Sequence, residues 1–121
     1  MKILVVDDNN SITDLLLQYF EKKGHECITT NDGREGLDLC LNNKFDAIIL
    51  DLAMPDFTGM EFVNILNEKG KIKQQKIIVL TAMPLGSVKI DDHRRGICQV
   101  LSKPCNLNLL LKTLESLNVV A

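Results

Sequence analysis

Short apolar runs alternate along the chain with segments whose apolar residues recur every three or four positions. The periodic segments predict helices, and the runs predict β-strands. Strands that alternate with helices in this way are typical of an α/β fold with a parallel sheet. The second run is the least apolar and is expected at a sheet edge. The five runs are Lys2 to Val6, Glu26 to Thr30, Phe45 to Leu50, Lys76 to Leu80 and Cys98 to Leu101.

Four of the five predicted helices have a recognisable first turn. Ser11 with Asp14, Asp32 with Glu35, and Thr58 with Glu61 precede the first three, and Asn106 precedes the last. The first helix ends before Gly24 and has a predicted inward face of Ile12, Leu15, Leu16, Tyr19 and Phe20. The inward face of the last helix consists of Leu107, Leu110, Leu111, Leu114 and Leu117.

The fourth helix is predicted only from the alternation of strands and helices along the chain. The segment from Leu85 to Arg95 is poor in helical apolar spacing and contains Gly86, Val88 and Ile90. With this helix included, residues 1–121 form one domain, because no linker or repeat interrupts the pattern. The prediction is a doubly wound, five-stranded parallel sheet with five helices.

Composition narrows the possible functions. Lys and Arg number 14 and Asp and Glu 16, so the net charge of −2 argues against bulk attraction to nucleic acid or to an anionic membrane. No apolar run approaches the roughly 20 residues of a membrane span. We therefore expect a cytoplasmic chain that neither inserts into membranes nor binds nucleic acid. The four cysteines lack paired metal-ligand spacing and are expected to be buried or half-buried thiols.

Chemically active side chains follow four of the predicted strands. Asp7 and Asp8 follow the first, Asp51 the third, Thr81 the fourth, and Lys103 the fifth. Ligands of doubly wound sheets bind beyond the carboxyl ends of the strands, so these side chains are expected at one edge. Three carboxylates there would repel one another unless a hard cation such as Mg²⁺ neutralised them. A lysine and a hydroxyl beside them are suited to transfer of a phosphoryl group to a carboxylate.

Each of these residues also has an ordinary structural explanation. Asp7 and Asp8 are good helix caps, Asp51 suits a turn, and Thr81 and Lys103 suit exposed strand ends. Any one explanation is the better one when its residue is taken alone. The coincidence of all five residues at corresponding strand ends favours a functional site.

The same residues resemble the response-regulator receiver domains of two-component signalling. Asp7-Asp8 resembles the acidic pair of that family, and the segment from Asp51 to Met60 resembles its phosphoacceptor strand and loop. Thr81-Ala82 and Lys103-Pro104 resemble its switch hydroxyl and its Lys-Pro element. The resemblance covers the whole chain. It implies the flavodoxin-like strand order 2-1-3-4-5.

The resemblance also implies a role for each residue. Asp51 would accept a phosphoryl group from a histidine kinase or a phosphotransfer protein. Asp8, Asp51 and the backbone carbonyl of Ala53 would ligate Mg²⁺, and Asp7 would act mainly through metal-bound water. Lys103 would contact the phosphoryl oxygen or the Asp51 carboxylate. The chain would catalyse its own phosphorylation and slow dephosphorylation without being an enzyme in the usual sense.

Further implications concern the switch. Thr81 would move toward the phosphoryl group, and the peptide bond between Lys103 and Pro104 would be cis. The family places an aromatic switch residue where this chain has Val100, whose β-branched side chain cannot make the same swing. The output surface for a downstream protein would comprise the fourth helix, the fifth strand and the last helix.

Other readings remain open. A degenerate receiver could act as an unphosphorylated interaction module, and the chain could be a stand-alone receiver or a fragment of a multidomain regulator. A flavin-binding protein is disfavoured because Asp7 and Asp8 would repel the phosphate of the cofactor. A phosphohydrolase that forms an aspartyl phosphate is disfavoured because Ala53 stands where such enzymes place a second acid.

Overall fold

The computed structural model describes residues 1–70, 76–82, 97–104 and 106–117, with no description of the side chains of residues 97 and 98. The described residues form five strands and four helices. The strands are β1 (Lys2–Val6), β2 (Glu26–Thr30), β3 (Ala47–Leu50), β4 (Ile77–Thr81) and β5 (Ile97–Ser102). The helices are α1 (Asn10–Lys22), α2 (Gly33–Asn42), α3 (Gly59–Glu68) and α4 (Leu107–Leu117).

All five strands are parallel and lie in the order β2-β1-β3-β4-β5. The predicted sheet, its flavodoxin-like order and the edge position of β2 are confirmed. Five helices were predicted, and the structure has four within the described residues. The predicted fourth helix, Leu85 to Arg95, lies outside them, so α4 corresponds to the last predicted helix.

The apolar strands bury residues on both faces of the sheet. In β1, Leu4 and Val6 face one core and Ile3 and Val5 the other, and all four are fully buried. One core contains α2 and α3 residues, represented by Leu37, Cys40, Phe62, Val63 and Leu66. The other contains α1 and α4 residues, represented by Leu16, Phe20, Leu110 and Leu114. Helices therefore cover both faces, which is the doubly wound arrangement.

Side-chain caps fix where the helices begin. Asp32, Thr58 and Asn106 accept backbone hydrogen bonds from the first turns of α2, α3 and α4, as predicted. The prediction for α1 was wrong. Its cap is Asn9, whose side-chain oxygen accepts from the backbone N–H groups of Ser11 and Ile12, so the helix begins before Ser11.

The inward face of α1 also differs from the prediction. Leu15 is 48% exposed, whereas Thr13 is 2% exposed. The hydroxyl of Thr13 donates to the backbone oxygen of Asn10 at 3.1 Å, which satisfies this polar group inside the protein. Because its hydroxyl is hydrogen-bonded, Thr13 is buried although the apolar pattern did not place it inward, whereas Leu15, which the pattern did place inward, is exposed.

Two further expectations concern the cysteine thiols and membrane-spanning helices. Cys27 and Cys40 are buried free thiols, and burial raises the pKa of Cys27 to about 12 and that of Cys40 to about 11. Neither thiol is therefore a reactive thiolate at neutral pH. None of the four described helices is long and apolar enough to cross a membrane.

Close packing of α2 on β1 depends on Gly36. A Cβ atom at this position would lie 2.7 Å from Cγ2 and 2.9 Å from Cγ1 of Val6. We expect Gly36→Ala to lower the free energy of unfolding by about 1–3 kcal/mol, because overpacking outweighs the better helix propensity of alanine. Urea denaturation of the variant and the wild type measures the difference.

The Val6→Ala background is the matched control for this prediction. Val6→Ala removes the two nearest methyl groups that the new Cβ would meet and leaves Cγ2 of Thr30 at 3.3 Å. Gly36→Ala should then become neutral or stabilising, by up to about 1 kcal/mol, because the better helix propensity of alanine is opposed only by a small shift of the Thr30 side chain. An equal loss of stability in both backgrounds would contradict the proposed clash.

Candidate functional site

The carboxyl ends of the strands bring the predicted site residues to one edge of the sheet. Asp7 follows β1, and its backbone N–H donates to the oxygen of Thr30. Asp51 follows β3, and its N–H donates to the oxygen of Val6 at 3.0 Å. The ladder hydrogen bonds therefore continue one residue past each strand and hold both backbones in register.

Three carboxylates converge at this edge. One oxygen from each of Asp7, Asp8 and Asp51 lies within 4.8 Å of the others. Asp7 is 2% exposed and Asp51 is 4% exposed, whereas Asp8 is exposed. Two of the three acids in the cluster are therefore buried, and the third faces solvent.

Lys103 is the counter-ion of the two buried acids. Its Nζ atom lies 2.8 Å from Oδ2 of Asp7 and 3.6 Å from Oδ2 of Asp51. The sequence suggested a contact with Asp51, and the shorter contact is with Asp7. A single ammonium shared by two carboxylates leaves the cluster with an excess of negative charge, which favours cation binding.

The electrostatics of Asp51 follow from its burial. Desolvation raises the pKa of its carboxyl group, and the charges of Asp7 and Asp8 raise it further. Two interactions oppose this effect: the backbone N–H of Ala53 donates to Oδ1 at 3.1 Å, and Lys103 contributes a positive charge. The net pKa is raised, so ionised Asp51 is less stable in the folded protein than in water. A bound cation would offset this loss of stability.

The pKa of Lys103 is also raised. Burial of the ammonium lowers it, but the hydrogen bond to Asp7 and the charges of Asp7 and Asp51 together outweigh burial. Because the folded pKa lies above the unfolded value, the ion pair contributes fully to stability below the unfolded pKa. That contribution is lost only as the pH rises through the folded pKa.

Two asparagines support the Asp7 backbone and side chain. The N–H of Asn9 donates to Oδ1 of Asp7 at 2.9 Å, and the side chain of Asn9 caps α1. The side-chain amide of Asn31 donates to the backbone oxygen of Asp7 at 2.9 Å and to the hydroxyl of Thr13 at 3.1 Å. Asp7 is thereby linked to the first turn of α1 and to the segment after β2.

Gly59 allows α3 to approach the end of β3. A Cβ atom at Gly59 would lie 2.6 Å from the backbone oxygen of Asp51 and 2.8 Å from Cα of Leu52. The N–H of Gly59 donates to the oxygen of Leu52 at 3.2 Å. A larger residue would therefore displace the backbone that carries the Asp51 carboxylate.

The remaining predicted site residues lie on β4 and β5. Thr81 is fully buried, and its backbone oxygen accepts from the N–H of Lys103 at 2.8 Å. Val100 is half-buried and pairs in register with Val79. The peptide bond between Lys103 and Pro104 is cis.

The donor set fits a magnesium ion. Magnesium prefers hard oxygen ligands, binds through one or two carboxylates and keeps several waters. The three clustered carboxylates supply such oxygens, and the exposed Asp8 leaves one side of the cluster open to solvent. No cysteine or histidine belongs to the cluster formed by the described residues, so a soft-metal site is disfavoured there.

Comparison with known proteins agrees with this geometry. Residues 3–115 match the response regulator receiver domain family. The chain is 29% identical over 117 residues to the polar-differentiation response regulator DivK of Brucella anthropi, covering 94% of this chain and 93% of that protein. The chain therefore belongs to the receiver domain family of two-component response regulators.

Solved structures show the same fold. The chemotaxis response regulator CheY4 of Vibrio cholerae superposes with a TM-score of 0.83 at 36% identity, covering 96% of this chain and 97% of that one. The response regulator TrrA of Thermotoga maritima, in complex with Mg²⁺-BeF, has a TM-score of 0.80 at 31% identity. That pair covers 96% of this chain and 97% of TrrA.

Sequence reasoning missed the supporting residues of the site. Asn9 and Asn31 were not singled out, although both directly follow strand-end segments at the functional edge. Asparagine is common in turns, so its type alone carries no functional signal. The contact of Asn31 with Asp7 joins residues 24 positions apart, and it becomes visible only in the folded chain.

Proposed function

We propose that residues 1–121 act as one receiver domain, a signalling switch that accepts a phosphoryl group on Asp51. The observation that carries the proposal is the buried pair of Asp7 and Asp51 sharing the Lys103 ammonium beside the exposed Asp8. This arrangement supplies a carboxylate nucleophile together with positive charge at the place where phosphoryl oxygens would arrive.

The transfer is a displacement at phosphorus. A carboxylate oxygen of Asp51 forms a P–O bond while the P–N bond of a phosphohistidine breaks, and the electron pair of that bond stays on the imidazole nitrogen. The proposed donor is a histidine kinase or a phosphotransfer protein. Lys103 would balance charge on the phosphoryl oxygens, and the N–H of Ala53 would keep the carboxylate oriented through Oδ1.

The reaction is proposed to depend on Mg²⁺. Asp8, Asp51 and the backbone carbonyl of Ala53 would hold the ion, and Asp7 would support it through bound water. When bound, Mg²⁺ supplies charge neutralisation for the incoming phosphoryl group. The cluster supports this assignment because its negative charge exceeds what Lys103 alone can balance.

The output is proposed to be a shift between two conformations. Thr81, buried at the end of β4, would move toward the phosphoryl group, and β5 with α4 would form part of the surface that a downstream protein reads. Half-buried Val100 replaces the aromatic switch residue expected from the family. We propose that the chain works in the cytoplasm and contacts other proteins rather than nucleic acid or the membrane interior.

Intact-protein mass spectrometry with phosphoramidate tests the magnesium requirement. With Mg²⁺ we expect the addition of one phosphoryl mass, and with EDTA we expect labelling at least about a hundredfold slower, because the acidic cluster then repels the donor. Equal labelling in both conditions would contradict the proposed role of the metal. No labelling in either condition would favour an unphosphorylated interaction module.

A further inference from the structure

A cavity of about 450 Å³ opens beside the acidic cluster. It lies between the first turn of α2 and the segment that connects β3 to α3. Asp8 lines it, so the cavity adjoins the proposed magnesium site directly. Its other charged lining residues are Asp32, Arg34 and Asp56.

Arg34 is the one positively charged residue that lines this cavity. Its guanidinium carbon lies 4.8 Å from the centre of the Phe57 ring, so the group packs on an aromatic face. Within the described parts of the chain, Arg34 forms no ion pair, although three carboxylates line the same cavity. Arg34 is exposed, and the N–H groups of its guanidinium have no carboxylate partner among those residues.

The other acids of the cavity have different roles. Asp8 belongs to the proposed metal site, and the carboxylate of Asp32 accepts from the N–H of Arg34 to cap α2. Asp56 is exposed and increases the negative charge at the rim. Asp51 does not line the cavity, but one of its carboxylate oxygens lies within 4.8 Å of one from Asp8, which does. An anionic molecule in the cavity meets three carboxylates, with Arg34 as the opposing charge.

We propose that this cavity binds the leaving group of small acyl-phosphate donors and that Arg34 determines specificity for it. The inference rests on the proposed function, because it requires Asp51 to be the phosphoryl acceptor. Guanidinium groups match carboxylates through two parallel N–H donors, and an acyl phosphate releases a carboxylate.

The chemistry explains why Arg34 distinguishes donors. With acetyl phosphate, the P–O bond to acetate breaks, and its electron pair leaves as negative charge on the acetate oxygen. Arg34 would stabilise that developing charge. With phosphoramidate, the P–N bond breaks and the already protonated nitrogen leaves as neutral ammonia, so a cation at this position gives no comparable advantage.

The test compares the rates of phosphorylation by acetyl phosphate and by phosphoramidate at saturating Mg²⁺, measured by intact mass. We expect Arg34→Gln to slow labelling by acetyl phosphate about threefold to tenfold, the range for one hydrogen bond to a charged group near solvent. Labelling by phosphoramidate should change by less than about twofold. Arg34→Lys should retain part of the acetyl phosphate rate.

Lys22→Gln is the matched control because it removes one positive charge from an exposed position at the far end of α1. This variant should react with both donors as the wild type does. Equal slowing of both donors by Arg34→Gln, or of neither, would overturn the inference while leaving Asp51 phosphorylation intact. A wild-type chain that neither donor labels would contradict the proposed function itself, and the inference would fail with it.

Discussion

Replacing Asp51 with asparagine is expected to abolish phosphoryl incorporation and to stabilise the metal-free protein. Asparagine lacks the anionic oxygen that forms the P–O bond, so the loss of labelling should be complete. Its side-chain oxygen can still accept from the N–H of Ala53, which keeps the local hydrogen bond. Intact mass after incubation with phosphoramidate and Mg²⁺ measures the first effect, and urea denaturation without Mg²⁺ measures the second.

The stability effect follows from the raised pKa of Asp51. Desolvation and the neighbouring charges of Asp7 and Asp8 disfavour the ionised form in the folded state. Above the folded pKa, this carboxylate therefore lowers the free energy of unfolding relative to a neutral group. Asp51→Asn should raise that free energy on the order of 1 kcal/mol at neutral pH, since one unfavourable buried charge is removed.

The pH dependence has a definite sign. As the pH falls through the raised folded pKa, Asp51 takes up a proton in the folded state before it does so in the unfolded chain. The free energy of unfolding of Asp51→Asn therefore exceeds that of the wild type by less and less as the pH falls. The difference should close below the unfolded pKa of about 4. A variant less stable than wild type at neutral pH would contradict this account.

Asp38→Asn is the matched control for both measurements. Asp38 is exposed on α2, outside the acidic cluster, and the substitution removes the same charge. It should label as the wild type does. Mg²⁺ should stabilise Asp38→Asn as much as the wild type and stabilise Asp51→Asn less, because only the latter has lost a proposed metal ligand.

The sequence predicted the layout of the sheet well because its strands are nearly continuous apolar runs. β1, β3 and β4 are buried on both faces, and such strands are necessarily central in a parallel sheet. Once the order of elements was known, the positions of Asp7, Asp51 and Thr81 at one edge followed from parallel topology alone. Residue type and strand register therefore determined most of the candidate site.

The finer features of the site depend on distances that a sequence pattern does not contain. Nζ of Lys103 lies 2.8 Å from Oδ2 of Asp7 and 3.6 Å from Oδ2 of Asp51, so its closer partner is known only from the structure. The packing of Arg34 on the Phe57 ring joins two segments that are distant in the sequence. Helical periodicity likewise placed Leu15 inward, whereas the hydrogen-bonded Thr13 is the residue that is buried.

The second large effect is expected from Lys103→Met. Methionine retains an unbranched side chain of similar length but removes the ammonium that contacts Asp7 and Asp51. Labelling by phosphoramidate should slow by about 10²- to 10³-fold, the usual cost of removing one charged group that stabilises a transition state. The rate of mass increase at saturating Mg²⁺ measures this effect.

The same substitution should destabilise the metal-free protein and strengthen magnesium binding. Two buried carboxylates would lose their counter-ion, and the free energy of unfolding should fall by about 1–3 kcal/mol at neutral pH. Lys103 also competes with a metal ion for Asp7 and Asp51, so its removal should lower the dissociation constant for Mg²⁺ severalfold. Added Mg²⁺ should therefore restore more stability to Lys103→Met than it gives the wild type.

These opposite changes separate a role in the site from a general role in folding. Lys112→Met, an exposed charge removal on α4, should leave the labelling rate, the stability and the magnesium affinity unchanged. Lys103→Arg keeps the charge and should retain most of the stability, although a planar guanidinium cannot reproduce the contacts of an ammonium in the same space. If Lys103→Met bound Mg²⁺ more weakly than wild type, the proposed competition between the lysine and the metal for the acidic pair would be wrong.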